Sequence, residues 1–179
     1  KILSVCRKVP NKKIEDLIHF YLDFKKFNNK SSLTIIGDSA NKFYKEYITF
    51  ILKKYKIYSK DINFVDYLSE KQLMKEYQKS NIYLTMSEHE GFGIPILEAA
   101  INGCLIYGYY HEAYESIIPS CKTLFRNKNF PVLAENLREK YRTNTSVHIV
   151  EAIASNKENE VFYISNANQI STSDPEWIQ

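Results

Sequence analysis

The amino-acid sequence predicts an α/β fold: a Rossmann-like, doubly wound, mostly parallel sheet with helices on both faces. Three observations predict it. Short apolar runs alternate with longer segments in which apolar residues recur every three or four positions, from residue 2 to about 141. Turn residues such as Pro10, Gly37-Asp38 and Gly103 punctuate that alternation. The chain has 179 residues, 44% hydrophobic and 25% charged, the composition and size of one globular domain or one domain with an extension. Strand-helix-strand units in series require parallel strands joined by crossovers, which cover both faces of the sheet.

The elements follow in order. Ile2-Leu3-Ser4-Val5-Cys6 reads as the first strand, and a basic loop from Arg7 to Lys13 follows it. Ile14, Leu17, Ile18, Tyr21, Leu22 and Phe24 give an amphipathic helix from about Ile14 to Phe27. Ser31 to Gly37 reads as the second strand, with Leu33-Thr34-Ile35-Ile36 as its apolar run, ended by Gly37-Asp38. A second helix is expected over about Asn41 to Tyr58, with Phe43, Tyr44, Tyr47, Ile48, Ile51, Leu52 and Tyr55 as its buried stripe. Ile62 to Leu68 is a third strand, and Ser69 with Gln72 forms a capping box for a short helix bearing Leu73, Met74 and Tyr77. Ile82 to Met86 is the fourth strand. After the loop Ser87 to Gly93 comes a helix opened by Pro95, with Ile96, Leu97, Ala100 and Ile101 on its apolar face, ended by Gly103. A fifth strand at Cys104 to Tyr107, a short helix near Ala113 to Ile118, a strand at Thr123 to Phe125 and a helix at Pro131 to Tyr141 complete the domain. Beyond it, Ser146 to Ala154 reads as a helix and Glu160 to Ile164 as a strand. The division expected is one Rossmann-like domain over 1–142 and an extension without assigned role over 143–179.

Composition excludes several classes. A formal net charge of +3 is too small to argue for nucleic acid. Cys6, Cys104 and Cys121 lack metal-ligand spacing and read as small apolar residues in a reducing compartment, so a cytoplasmic location is expected. No run of 18 apolar residues offers a membrane span. The chain opens at Lys1 and enters a strand at once, which reads as a piece of a longer protein.

In a doubly wound sheet the ligand sits beyond the carboxyl ends of the strands. That singles out two loops, Arg7 to Lys13 and Ser87 to Gly93. In the second, Glu88-His89-Glu90-Gly91-Phe92-Gly93-Ile94-Pro95 opens a helix. Its glycines let backbone approach a ligand, and the free amides of the helix start suit a diphosphate. The same Gly-Phe-Gly also suits a simple tight turn, and acidic residues near a helix start are common caps. Glu98, one turn inside the helix, has the reach to accept both hydroxyls of a ribose, and Glu90 to hold a sugar hydroxyl. Arg7 and Lys12 are the candidate cations for a departing nucleoside diphosphate, on whose bridging oxygen negative charge builds. A basic surface loop is the other reading of that pair. His89 either leans over a donor sugar or makes one local hydrogen bond. No aspartate cluster suits magnesium.

The run from Ser87 to Ala99 closely resembles the signature of the retaining GT-B glycosyltransferases of group 1 (family 4), with Glu90 and Glu98 separated by seven residues around Gly91-Phe92-Gly93. Ser4 to Ile18 resembles that family's phosphate-binding Arg and Lys region, and the resemblance runs from about residue 2 to 137. It implies one half of a GT-B fold: the C-terminal, donor-binding domain, which faces an acceptor-binding N-terminal domain absent from this chain. It implies Arg7 and Lys12 on the diphosphate, and Glu90 with the Gly91-Phe92-Gly93 backbone and Ile94 on the donor sugar and β-phosphate. Glu98 would hold the ribose, Tyr67 and Leu68 would border the base, and His89 and Glu115 would lie by the sugar. It further implies transfer of a hexosyl group with retention, no cofactor and no metal, and a UDP- or GDP-sugar in preference to an ADP-sugar. Any membrane contact, at the inner face, is expected through the absent part only. The sequence departs from the family pattern at Cys6 and Lys13, where glycine is usual, and at His111-Glu112-Ala113-Tyr114-Glu115, where a turn before a glutamate has lost its glycines. That loss favours the alternative of a non-catalytic nucleotide-binding or assembly domain.

Overall fold

The computed structural model describes residues 1–39, 41–56, 62–115, 117–118, 121, 123–142, 147–149 and 163–165. Six parallel strands form one sheet in the order β3-β2-β1-β4-β5-β6: β1 (Ile2–Val5), β2 (Leu33–Ile36), β3 (Ile62–Val65), β4 (Ile82–Thr85), β5 (Leu105–Tyr109) and β6 (Leu124–Phe125). The chain builds outward from β1 to β3, then returns to the other side of β1 and builds outward again. The order therefore reverses between β1 and β4, and the carboxyl ends of these two strands border a crevice.

Alternation along the strands sorts side chains onto two faces. Ile2, Leu33, Ile35, Ile82, Leu84, Leu105 and Tyr107 pack under α1 (Ile14–Phe27), α2 (Lys42–Lys54) and α6 (Phe130–Arg142). Leu3, Ile36, Tyr83 and Ile106 pack under α3 (Glu70–Gln78), α4 (Ile94–Ile101) and the segment that follows α5 (Glu112–Glu115). The expected helices on both faces are present, and α1 and β2 run over the residues their periodicity predicts.

Several expectations need correction. α2 ends at Lys54 rather than near Tyr58, and residues 57–58 lie outside the described residues. Of its expected stripe, Tyr44, Ile48 and Ile51 are buried, whereas Phe43 is 83% exposed and Tyr47 and Tyr55 are also exposed. Two stripes at helical spacing compete on this helix, and the core takes the one carrying both isoleucines. β3 stops at Val65, so Asp66 to Leu68 form a loop. The expected helix over 146–154 is contradicted where it can be seen: β7 (Val147–Ile149) is a strand, antiparallel to β8 (Tyr163–Ser165). His148 therefore lies on a strand. The final stretch, 171–179, lies outside the described residues. Among the described residues no helix is long and apolar enough to cross a membrane.

Candidate functional site

The crevice between β1 and β4 is walled by the two loops singled out in the sequence. After β1 the chain makes a short 3-10 turn, Pro10–Lys12, and Lys13 then adopts the left-handed conformation with φ 51° and ψ 54° to start α1. Glycine would take that conformation without a Cβ penalty; lysine takes it at a cost of about 1 kcal/mol. The turn aims Lys12 across the crevice. Its ammonium lies 2.8 Å from Glu90 Oε2, 2.8 Å from the His89 carbonyl and 3.2 Å from Ser87 Oγ. Both side chains are largely shielded from solvent, at 12% and 15% exposure, so the pair is screened less than a surface pair.

The loops are tied a second time at their outer edge. The Glu88 amide donates to the Asn11 carbonyl at 2.9 Å. The Glu88 carboxylate meets Lys13 at 3.1 Å and Lys128 at 2.6 Å, and Lys128 also reaches Asp16 at 2.8 Å. The Lys128 hydrogen bond, then that of Lys13, holds the Glu88 carboxyl below its usual range.

Glu90 has a second partner that the sequence reading passed over. The Tyr114 hydroxyl donates to Glu90 Oε1 at 3.0 Å and lies 3.4 Å from Thr85 Oγ1. Burial, then the neighbouring Glu90 charge, drives the Tyr114 phenol well above its ordinary pKa, so it is a proton donor throughout the physiological range. Thr85 carries no signal in the sequence, and Ser87, His111 and Tyr114 appear there only as members of a loop and a turn, because only the fold brings β4, its loop and α5 together. One signal did exist: Tyr114 directly precedes Glu115 in the turn whose glycines are missing. Glu115 ends α5, and its side chain lies outside the described residues.

Gly93 caps α4 with φ 78°, and a Cβ there would stand 3.1 Å from Ile117 and 3.2 Å from the Tyr114 ring. Gly91 is different. A Cβ there would meet no atom within 4 Å, so nothing inside the described protein demands glycine. The neighbouring Phe92 and Ile94 are exposed at 66% and 55%, and His89 is exposed, its ring edge-on to His111.

Glu98 stands farther along α4. Its Oε2 accepts from the Tyr77 hydroxyl at 2.8 Å, and Tyr77 is fully buried under α3. Burial, then that hydrogen bond, raises the Tyr77 phenol far above its usual value. A neutral phenol thus fixes the carboxylate while Oε1 has no protein partner among the described residues. Arg7 is exposed at the mouth of the crevice and likewise has no ion-pair partner among the described residues. Tyr67 protrudes after β3, 84% exposed, and Leu68 packs against the second core cluster.

Lys8, which the sequence reading treated as part of a basic loop, is buried. Its ammonium donates to the carbonyls of Gly37 and of Val65, the latter at 3.0 Å, and to Asp66 at 2.8 Å. It thereby pins the carboxyl ends of β1, β2 and β3 together. The Lys8 hydrogen bond, then that of Ser39, holds the Asp66 carboxyl below its ordinary value. The structure thus brings Lys12 and Glu90 into contact, leaves Arg7, Phe92 and Tyr67 exposed, and pairs Glu98 with Tyr77. Among the described residues no group of three or more His, Cys, Asp or Glu side chains could hold a metal ion.

Six parallel strands in this order, with a loop-to-helix glycine turn and a cation facing each other at the reversal point, define a GT-B-type Rossmann-like domain. The family model for glycosyl transferases group 1 matches residues 1–140, and the chain belongs to that family. No curated protein sequence matches the chain significantly. Among solved structures, it is similar to the pneumococcal O-GlcNAc transferase GtfA in complex with UDP and GlcNAc, with 18% identity and a TM-score of 0.64 over 80% of this chain and 29% of that one. It is similar to S. aureus TarM, solved as a variant with UDP, with 21% identity and a TM-score of 0.66 over 78% of this chain and 28% of that one. The C-terminal domain of LpcC, a glycosyl transferase group 1 protein from Francisella tularensis, is 20% identical with a TM-score of 0.67, over 79% of this chain and 75% of that one. At these identities the likeness shows the fold. The chain spans under a third of the GtfA and TarM chains but three quarters of the isolated LpcC domain.

Proposed function

We propose that this chain is the donor-binding half of a glycosyltransferase that moves a hexosyl group from a nucleoside-diphosphate sugar to an acceptor with retention of configuration. The observation that carries the reading is the Lys12–Glu90 contact across the β1/β4 crevice, between the two loops that bear the family's motifs. In this reading residues 1–142 are the donor domain and 143–179 an extension. An acceptor-binding domain closes over the crevice from outside this chain.

Each side chain then has a chemical task. The diphosphate lies over the amides at the start of α4, where helix amides and dipole favour negative charge. Arg7 and Lys12 neutralise the charge that grows on the departing phosphate oxygen, the largest single contribution a preorganised site makes to such a step. Gly91 leaves the open space that the donor's phosphate and sugar need against the backbone. Glu90 accepts a sugar hydroxyl, with His89 alongside. Glu98 uses its free oxygen for the ribose while Tyr77 holds the other, and Tyr67 and Leu68 flank the base. Glu115, at the end of α5, is assigned to the sugar from the family resemblance. Cations and amides carry the charge stabilisation, so this reading requires no metal and no cofactor. UDP accompanies two of the similar structures, which favours a UDP-sugar here.

The reading is tested by incubating the protein, with an acceptor-binding domain joined to it, with UDP- and GDP-hexoses and following product by NMR. Release of nucleoside diphosphate together with a glycoside product whose anomeric configuration equals the donor's supports it. An inverted product would remove retention. Absence of any turnover together with intact nucleotide binding would favour a non-catalytic nucleotide-binding domain, as the lost glycines of the turn from His111 to Glu115 suggest.

A further inference from the structure

Tyr114 touches both ends of the Glu90–Gly93 loop. It is 1% exposed. Its hydroxyl donates to Glu90 at the start of the loop, and its ring stands 3.2 Å from where a Cβ on Gly93 would lie at the end of the loop. Behind it runs a chain of donors. The Ser87 amide donates to Thr85 Oγ1 at 3.3 Å, and Thr85 Oγ1 lies 3.4 Å from the Tyr114 oxygen. A phenol has one proton, and an ionised carboxylate only accepts. The direction is therefore fixed: amide to threonine, threonine to tyrosine, tyrosine to Glu90 Oε1. Lys12 takes the opposite oxygen, Oε2.

Both oxygens of Glu90 are thus anchored by protein, which fixes the plane of the carboxylate while a lone pair on each stays available for a ligand hydroxyl. From these contacts we infer that Tyr114 is a positioning residue for Glu90, acting through its hydroxyl on the carboxylate and through its ring against the Gly93 end of the loop. The inference rests on the donor-site reading above. It also assigns the sugar end of the donor, and not its nucleotide end, as the part that Tyr114 governs, because Glu98 and Tyr77 form a separate pair.

Tyr114→Phe tests this, since it keeps the ring against Gly93 and removes only the hydroxyl. Calorimetric titrations with UDP, UDP-glucose and UDP-N-acetylglucosamine, and with GDP and GDP-mannose, give for each protein the ratio of the sugar-nucleotide Kd to the nucleoside-diphosphate Kd. The expected result is a ratio raised about tenfold in Tyr114→Phe, from loss of a hydrogen bond to a charged group, with the nucleoside-diphosphate Kd within about twofold of wild type. In a Glu90→Ala background, which removes the acceptor, the same substitution should leave the ratio unchanged, an outcome a merely structural tyrosine would not give. A ratio unaltered by Tyr114→Phe, or an equal loss for both ligands, overturns the assignment while the donor site stands. A wild-type protein that binds none of these ligands removes the donor-site reading and this assignment together.

Discussion

Gly37→Ala should destabilise the domain by at least about 3 kcal/mol, the range of a side chain forced into a forbidden conformation and into backbone. Gly37 follows β2 with φ 141°, a region that side chains avoid, and its amide donates to Val65 across the sheet at 2.9 Å. A Cβ there would stand 2.1 Å from the Cys6 carbonyl oxygen and 2.6 Å from its carbon. Backbone cannot rotate away like a side chain, so the loop carrying Arg7 must move or β2 must shift. The effect should reach function, because Lys8 bonds the Gly37 carbonyl and Arg7 is the next residue toward the crevice. A thermal melt should show a midpoint lower by roughly 10 °C for a domain of this size. Gly91→Ala is the control: with nothing within 4 Å of its Cβ, it should melt within about 0.5 kcal/mol of wild type. Equal midpoints for wild type and Gly37→Ala would mean that β1 and β2 do not approach as described.

Lys12→Met should lower transfer by about 100-fold or more, the usual cost of removing one preorganised donor from developing charge. The ammonium has three protein partners, Glu90, the His89 carbonyl and Ser87, so its position is set before a ligand arrives. A bound diphosphate would draw on the same ammonium, whose three protons already have partners, so one of these contacts gives way to it. The methionine keeps the unbranched apolar stem of the side chain without its ammonium, and the outer tie between Glu88, Lys13 and Lys128 remains. Loss of turnover should therefore come with a folded protein and an altered kcat. Lys12→Arg should recover part of it, because the charge returns in a different geometry. Turnover of Lys12→Met at the wild-type rate would exclude Lys12 from the leaving-group site.

Much of this was legible in the sequence. Strand-helix alternation predicted the parallel sheet, and the rule that ligands sit beyond strand ends pointed to the two loops that meet at the β1/β4 reversal. The Ser87 to Ala99 run carried the family resemblance, and the family match covers it. Periodicity failed on α2 for a definite reason. Phe43, Tyr47 and Phe50 recur at the same helical spacing as Tyr44, Ile48 and Ile51, and spacing alone does not say which stripe meets the sheet. Lys8 was not legible either: a lysine after a strand is ordinarily solvated, and only the folded ends of β2 and β3 supply the carbonyls that bury it. Tyr114 belongs to the same class. Its hydroxyl reaches Glu90 across 24 positions of sequence, a contact that depends on β4 and β5 being neighbours.

The central claim is that the crevice between β1 and β4 binds a nucleoside diphosphate. Calorimetric titration of this chain with UDP, GDP and ADP, each with and without magnesium, and of Glu98→Ala alongside, tests it most directly. The account predicts binding of one nucleotide, UDP first among them, indifferent to magnesium and weakened about tenfold or more by Glu98→Ala, which removes a charged acceptor. A well-folded wild type that binds none of the three, or a Glu98→Ala variant that binds as tightly as wild type, would contradict it.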